Sequence, residues 1–183
     1  MMIERIRREH GYMVRLLAIL AEKVERLKQE QPVNYSLIKE VVDYLSEHSE
    51  NSHHPKEDIL YHYYQENYGE KDEMENLEFE HKLLGCKTRS FQNTVEMILQ
   101  DAVVPHQIFI EQLQEFIKAQ REHLEFEERR ILPMICERFT VQDWQQVELL
   151  FSHDDDDPVF GDTIAERYAQ LAQRVRETDN EIT

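Results

Sequence analysis

The chain has 183 residues and a formal net charge of −17, from 38 acidic and 21 basic side chains. This charge argues against a nucleic-acid partner and against an anionic membrane surface, because both would repel the chain and no dense stripe of Lys or Arg offsets the repulsion. With four glycines and five prolines, the composition favours long helices over turn-rich sheets. We therefore predict an all-α protein.

The N-terminal stretch MMIERIRREH is charged from residue 4 and lacks the apolar core of a signal peptide. No later segment is long and apolar enough to cross a bilayer, so we expect a cytoplasmic protein. The two cysteines, Cys86 and Cys136, are fifty residues apart and form no CxxC pair, which argues against a cysteine metal site. We expect both to be small core residues in a reducing compartment.

Long amphipathic helices are predicted from the start of the chain. The first carries apolar residues at steps of three and four from Ile3 to Leu27, and His10 lies on this apolar stripe. The second begins near Asn34 or Ser36 and ends near Gly69, a residue type common just past a helix end.

A third helix is predicted from about Asp72 to Val103. A fourth begins at Val104-Pro105, where proline is tolerated in the first turn, and weakens at Pro133. Four long helices joined by short connections predict an up-down-up-down bundle.

Two shorter helices are predicted at the C-terminal end, at 141–151 and 159–177, separated by the run HDDDDP. No glycine or glutamate follows the four aspartates at the spacing of an EF-hand, so we interpret them as a solvated loop. The length suits a single domain, in which residues 1–136 form the bundle and residues 137–183 a C-terminal helical extension.

Histidines and glutamates of the four long helices lie at matching depths in the predicted bundle. Antiparallel neighbours place interacting side chains equally far from the turn that joins them. His10 and His53 are 20 and 19 residues from the first turn, and Glu57 and His81 are 11 and nine from the second. His81 and His123 are 22 and 18 residues from the third turn, an offset of about 6 Å.

These depths define one layer of donors across the bundle. Residues four apart share a helix face, so each His-Glu pair points at one centre. Ionised groups buried there need compensation, which metal ions supply, and imidazole with carboxylate suits iron, manganese or zinc. The predicted ligands are His10, His53, Glu57, His81, His123 and Glu127.

The motifs around these residues resemble those of a known family, the hemerythrin-like or HHE cation-binding proteins. The resemblance rests on REHGYM, HHPKED, EHKLLG and HLEFEERRILP in the four long helices. FTVQDW and DDPVFG resemble the closing segment of a bacterial cytoplasmic branch. The resemblance implies a centre of two Fe ions, held by the same six residues, bridged by the two carboxylates and an oxo or hydroxo group. It also implies binding of dioxygen or another small diatomic or peroxide ligand, or sensing of oxygen or iron status.

The sequence departs from the oxygen-carrying hemerythrins on the third helix. Those proteins place two histidines four residues apart there, whereas His81 is followed by Gly85 and preceded by Leu77. Less complete coordination of one iron favours redox chemistry over reversible oxygen carriage. An enzyme that turns over peroxide, oxidises ferrous iron or repairs nitrosative damage is one alternative. An interaction module with a structural zinc, docking through the helices at 141–177, is another.

The remaining candidates are given lesser roles. His54 and Asp58 are turned about 100° from His53 and Glu57 on a regular helix, so we expect them to face a neighbouring helix or water, with a part in orienting an imidazole. A direct ligand role for His54 is the alternative. Pro55 lacks an N–H and is expected to bend the second helix beside the metals.

Other histidines and tyrosines are interpreted as surface, boundary or core residues. The histidines outside the predicted layer are His48, His62, His106 and His153. Tyrosines near the layer in sequence are Tyr12, Tyr61, Tyr63 and Tyr64, and core packing explains them without a chemical role.

Overall fold

The computed structural model describes residues 1–69, 72–151 and 157–181, without the side chains of residues 72–76 and 178–181. All regular elements in these ranges are helical, as predicted. The α-helices are α1 (Met2–Lys28), α2 (Tyr35–His48), α3 (His54–Tyr68), α4 (Asp72–Leu99), α5 (His106–Phe126), α6 (Leu132–Arg138), α7 (Val141–Leu150) and α8 (Ala169–Glu181). A first π-helical turn (Ser49–His53), a second π-helical turn (Glu127–Ile131) and a 3₁₀ turn (Glu166–Tyr168) complete them.

Two of the predicted long helices are divided by π-helical turns. The predicted second helix is α2, the first π-helical turn and α3 in succession, and the predicted fourth is α5, the second π-helical turn and α6. The third helix ends at Leu99 rather than Val103, because Asp101 adopts a positive φ of 61°. None of the described helices is both long enough and apolar enough to cross a membrane.

The last predicted helix begins later than the sequence pattern indicated. Residues 159–165 are not helical, and α8 begins at Ala169. The Asp157 carboxylate accepts the N–H groups of Val159 and Phe160, each at 2.8 Å, which holds this segment in a turn. The prediction of a helix from residue 159 was therefore wrong. His153 and three of the four aspartates lie outside the described residues.

The apolar core forms two clusters with the predicted ligand layer between them. One cluster contains Met13 and Leu45 and extends along α1, α2, α4, α5 and α8. The other contains Ile6, Leu60 and Ile131 and involves α1, α3, α4, the second π-helical turn, α6 and α7. Since Ile6 and Met13 flank His10 on one helix face, the polar layer interrupts a core that is otherwise continuous.

Both cysteines are exposed, so the expectation that they belong to the core was wrong. Cys86 lies on the outer face of α4, where its sulfur is 3.4 Å from an Arg89 nitrogen. A single cysteine on a helix gives no periodic signal of its own, and its apolar character alone does not fix which face it occupies.

The first π-helical turn lies directly before a proline. The N–H of His54 donates to the Ser49 carbonyl five residues earlier, and Pro55 follows. Proline has no N–H to donate, and its ring pushes against the carbonyl four residues before it, that of Asn51. The distortion expected from Pro55 thus takes the form of a widened helical turn, a feature frequent at functional sites.

The second π-helical turn repeats this arrangement. The N–H of Leu132 donates to the Glu127 carbonyl, and Pro133 follows at once. Both His-Glu pairs therefore adjoin a widened turn: His53 ends the first turn and Glu127 begins the second. The helices that supply carboxylates to the layer are irregular at the layer itself.

Candidate metal centre

The structure brings all six predicted ligands together, and Glu57 lies among three imidazoles. Its Oε1 is 2.9 Å from His10 Nε2 and 3.2 Å from His53 Nε2. Its other oxygen, Oε2, is 3.5 Å from His81 Nε2. The Glu57 side chain is fully buried, so these imidazoles are its immediate environment.

Glu127 occupies the matching position on the opposite side. Its Oε2 is 3.5 Å from both His10 Nε2 and His123 Nε2, and its Oε1 is 3.3 Å from His81 Nε2. Each carboxylate thus turns one oxygen toward two imidazoles and its second oxygen toward His81 on α4. Both carboxylates therefore lie within reach of imidazoles from several helices.

The donors fall into two groups that share one carboxylate. Atoms of His10, His53 and Glu57 lie within 4.8 Å of one another, and so do atoms of His54, Glu57, His81 and His123. Sharing Glu57 places two possible cation positions side by side.

Four inward-facing atoms of the layer have no hydrogen-bond partner among the described residues: His53 Nε2, Glu57 Oε2, His123 Nε2 and Glu127 Oε2. Each unsatisfied buried polar atom costs about 1–3 kcal/mol. Cations would satisfy these atoms, and neutral imidazole with carboxylate is a donor set suited to iron. The residues present therefore fit the implied metal.

Each histidine also points its other ring nitrogen, Nδ1, at a carboxylate on a neighbouring part of the bundle. The pairs are His53–Glu9 at 2.7 Å, His10–Glu128 at 2.8 Å, His81–Asp58 at 3.1 Å and His123–Glu80 at 3.9 Å. Carboxylates in this position fix the ring orientation and the tautomer of metal-binding histidines. Asp58 was expected to orient an imidazole, and its contact with His81 agrees with that role.

Glu9, Glu80 and Glu128 were not predicted as site residues, although the sequence carries a signal for them. Each of the four outer carboxylates directly precedes or follows a predicted ligand, as Glu9 precedes His10 and Glu128 follows Glu127. The histidine that each one holds belongs to a different helix. Adjacency to a ligand was visible in the sequence, but the partner was not.

Burial and mutual contacts shift the pKa values of the residues in the layer. Burial alone would lower the pKa of His10, but hydrogen bonds to Glu128 and Glu57 raise it to about 10. Burial alone would raise the pKa of Glu57, but the His53 charge and the His10 hydrogen bond hold it well below its usual range. Burial lowers the pKa of His123. That imidazole is therefore neutral at physiological pH, the form in which histidine binds metals.

His54 lies in the layer, so the expectation that it faces away from the centre was wrong. Its ring stacks on His81 with centroids 4.1 Å apart and planes inclined by 8°, and it meets His123 edge-on at 5.9 Å. Burial, followed by the charge of His81, holds the pKa of His54 well below its usual value. The side chain is a neutral imidazole among three others.

Two further side chains adjoin the layer. The Tyr61 hydroxyl donates to Glu127 Oε1 at 2.8 Å and is buried. Lys56 is also buried, and its ammonium group pairs with Glu9. Tyr61 was predicted to have no chemical role, because a tyrosine at core spacing cannot be distinguished from a packing residue until its hydroxyl is located.

The other described histidines stay outside the layer, as expected. His62 pairs with Glu78 on the surface, and His106 Nε2 lies 2.8 Å from the Leu27 carbonyl oxygen. His48 stacks on Tyr44, with ring centroids 4.9 Å apart.

A cavity of about 340 Å³ reaches the layer between α4 and α5. Leu84, Ala119 and His123 are among its lining residues. A larger cavity of about 530 Å³ adjoins it and shares Lys87, Ala119 and Glu122. His123 therefore lies where solvent-sized molecules approach the centre.

Fold and site together define a helical bundle that gathers histidines and carboxylates into a buried cation-binding centre. The family model for the hemerythrin HHE cation-binding domain matches residues 1–135, and the chain belongs to this family. The resemblance seen in the sequence motifs is thus confirmed. Comparison with curated proteins and with solved structures finds no match.

Proposed function

We propose that the protein holds two iron ions at this centre and uses them to bind dioxygen or another small diatomic or peroxide ligand, or to sense oxygen or iron status. The ligands are His10, His53, Glu57, His81, His123 and Glu127, with the two glutamates and an oxo or hydroxo group as bridges. The proposal includes an up-down-up-down arrangement of the four long helices and a cytoplasmic location.

The observation that carries the proposal is the sharing of Glu57 by two groups of donors, each within 4.8 Å. A single structural ion would need one such group. Two groups with a common carboxylate, and a second carboxylate within 3.5 Å of three imidazoles, match a pair of ions held close together.

The chain's own residues hold, orient and shield the centre. The Nε2 atoms and the two glutamates face inward, while the outer carboxylates fix the imidazole rings. The apolar clusters on both sides exclude bulk water. When bound, the iron pair supplies electron transfer and open coordination positions for a small ligand.

Metal content and the absorption spectrum of the purified protein test the proposal. We expect two irons per chain and charge-transfer bands in the aerated protein that the anaerobically reduced protein lacks. His53→Ala and His123→Ala should lose iron and these bands, whereas the surface variant His62→Ala should keep both. One zinc per chain without iron would overturn the proposal and support a structural-zinc module.

A redox enzyme is the second candidate, and Tyr61 is the observation that favours it. Its buried hydroxyl donates to a bridging candidate, Glu127, which places a proton donor beside the centre. Stopped-flow mixing of the reduced protein with oxygen separates the two functions. A reversible oxygenated species supports carriage or sensing, whereas irreversible oxidation with peroxide turnover supports the enzyme.

A further inference from the structure

We propose that His54 is a seventh protein ligand of this centre and binds the same ion as His81 and His123. The inference rests on the proposed function, because it concerns the metal held there. One ion would then have three imidazoles and the other, bound by His10 and His53, would have two. The protein would thus supply the two ions with different numbers of ligands.

The position of the His54 ring carries the inference. A donor nitrogen of His54 lies within 4.8 Å of donor atoms of Glu57, His81 and His123, and the side chain is 9% exposed. The ring is almost parallel to that of His81 at 4.1 Å. Because each nitrogen lone pair lies in its ring plane, binding of one ion by both rings requires the two planes to tilt toward each other.

The surroundings of His54 disfavour a purely structural role. Its ring contacts are with His53, His81 and His123, at centroid distances of 5.8, 4.1 and 5.9 Å. A buried imidazole carries two polar nitrogens, and an apolar ring would fill the same space without the cost of burying them. A cation bound by these rings would compensate for that cost.

The first π-helical turn explains how adjacent residues both reach the centre. On a regular α-helix, His53 and His54 would point about 100° apart. The turn ends at His53 and bonds the His54 N–H to Ser49, five residues earlier. More residues per turn mean a smaller angle between successive side chains, so His54 lies closer to the direction of His53 than a regular helix allows.

Helix α4 offers no competing imidazole for this ion. One turn beyond His81 on the same face lies Gly85, which has no side chain to donate. A Cβ there would stand 2.7 Å from Glu50 Oε1, and Glu50 is paired with Arg89. This ion pair fills the space beside Gly85, so the third imidazole comes from α3.

Paramagnetic proton NMR of the fully cobalt(II)-loaded protein tests the assignment directly. Cobalt(II) is the probe because each ligating imidazole shows one hyperfine-shifted, exchangeable ring N–H signal. We expect five such signals from the native protein. Four signals with two cobalt ions bound would overturn the inference while leaving the proposed function intact, and failure to bind cobalt or iron would overturn the proposed function as well.

Two variants separate ligation from packing. His54→Phe keeps a ring stacked on His81 but removes the nitrogen, and His54→Gln keeps a polar group. We expect each to lose one shifted signal and to weaken binding of one of the two cobalt ions by tenfold or more, while the matched surface variant His62→Phe retains five signals. Five signals and native affinity in His54→Phe would show a packing role and overturn the inference.

Discussion

Replacing Glu9 by glutamine tests whether the outer carboxylates hold the centre in shape. Glu9 Oε2 accepts the His53 Nδ1–H at 2.7 Å, and its Oε1 accepts from the buried Lys56 ammonium. Burial would raise the pKa of Glu9, but these two partners lower it to about 2, so it is ionised at neutral pH. An amide has the same shape but only one acceptor oxygen, so it must turn its NH₂ group toward one of the two donors.

Two separate losses follow from Glu9→Gln. Breaking a buried ion pair from one side leaves Lys56 uncompensated, which costs about 3–5 kcal/mol in the free energy of unfolding. Losing the orienting carboxylate behind His53 lowers metal affinity by about 10–100-fold. Urea unfolding in the presence of a chelator measures the first quantity, and competition with a metal indicator measures the second.

The double variant Glu9→Gln/Lys56→Met distinguishes these effects, with the exposed Glu4→Gln on the same helix as control. Removing the lysine charge should restore most of the lost stability but not the metal affinity. If the double variant binds metal as tightly as the native chain, Glu9 acts on the lysine alone. The reasoning about oriented imidazoles would then be refuted.

Three further changes have defined outcomes. Tyr61→Phe removes the hydroxyl that donates to Glu127. We expect unchanged iron content but shifted absorption bands and an altered reoxidation rate by stopped flow. Identical spectra would show that the hydroxyl does not act on the centre. Ala119→Phe narrows the cavity between α4 and α5 and should slow reoxidation without changing iron content, whereas a native rate would exclude this route. Leu20→Ala should cost about 2–5 kcal/mol in urea unfolding, because the side chain is fully buried, and the exposed Leu149→Ala about 0.5 kcal/mol or less.

The convergence of the six ligands could be predicted because it depends on distances along the chain. In helices of constant rise joined by short turns, counting residues from each turn fixes the height of a side chain. His10 and His53 were level by this count, and their rings lie 4.8 Å apart. The count needs no knowledge of which way each helix faces.

Features that depend on rotation about a helix axis were not predictable in this way. The predicted direction of His54 was wrong because it assumed a regular helix. The π-helical turn before Pro55 changes the angle between the His53 and His54 side chains. The partner of Glu9 lies 44 residues away, at His53, and no local pattern encodes that contact. Likewise, the turn at Asp157 depends on a side chain capping its own backbone, which overrode the helical pattern from residue 159.

The outer carboxylates reach from each long helix of the bundle toward an imidazole on another, and the Glu80–His123 approach, at 3.9 Å, is the longest of the four. Glu9 on α1 holds His53 beside α3, Asp58 on α3 holds His81 on α4, and Glu80 on α4 faces His123 on α5. Glu128, just beyond α5, returns to His10 on α1.

These contacts between helices have a mechanical consequence. If one helix tilts, its outer carboxylate moves and displaces the imidazole that it contacts on another helix. We therefore expect loading and release of the metal to change the positions of several helices together.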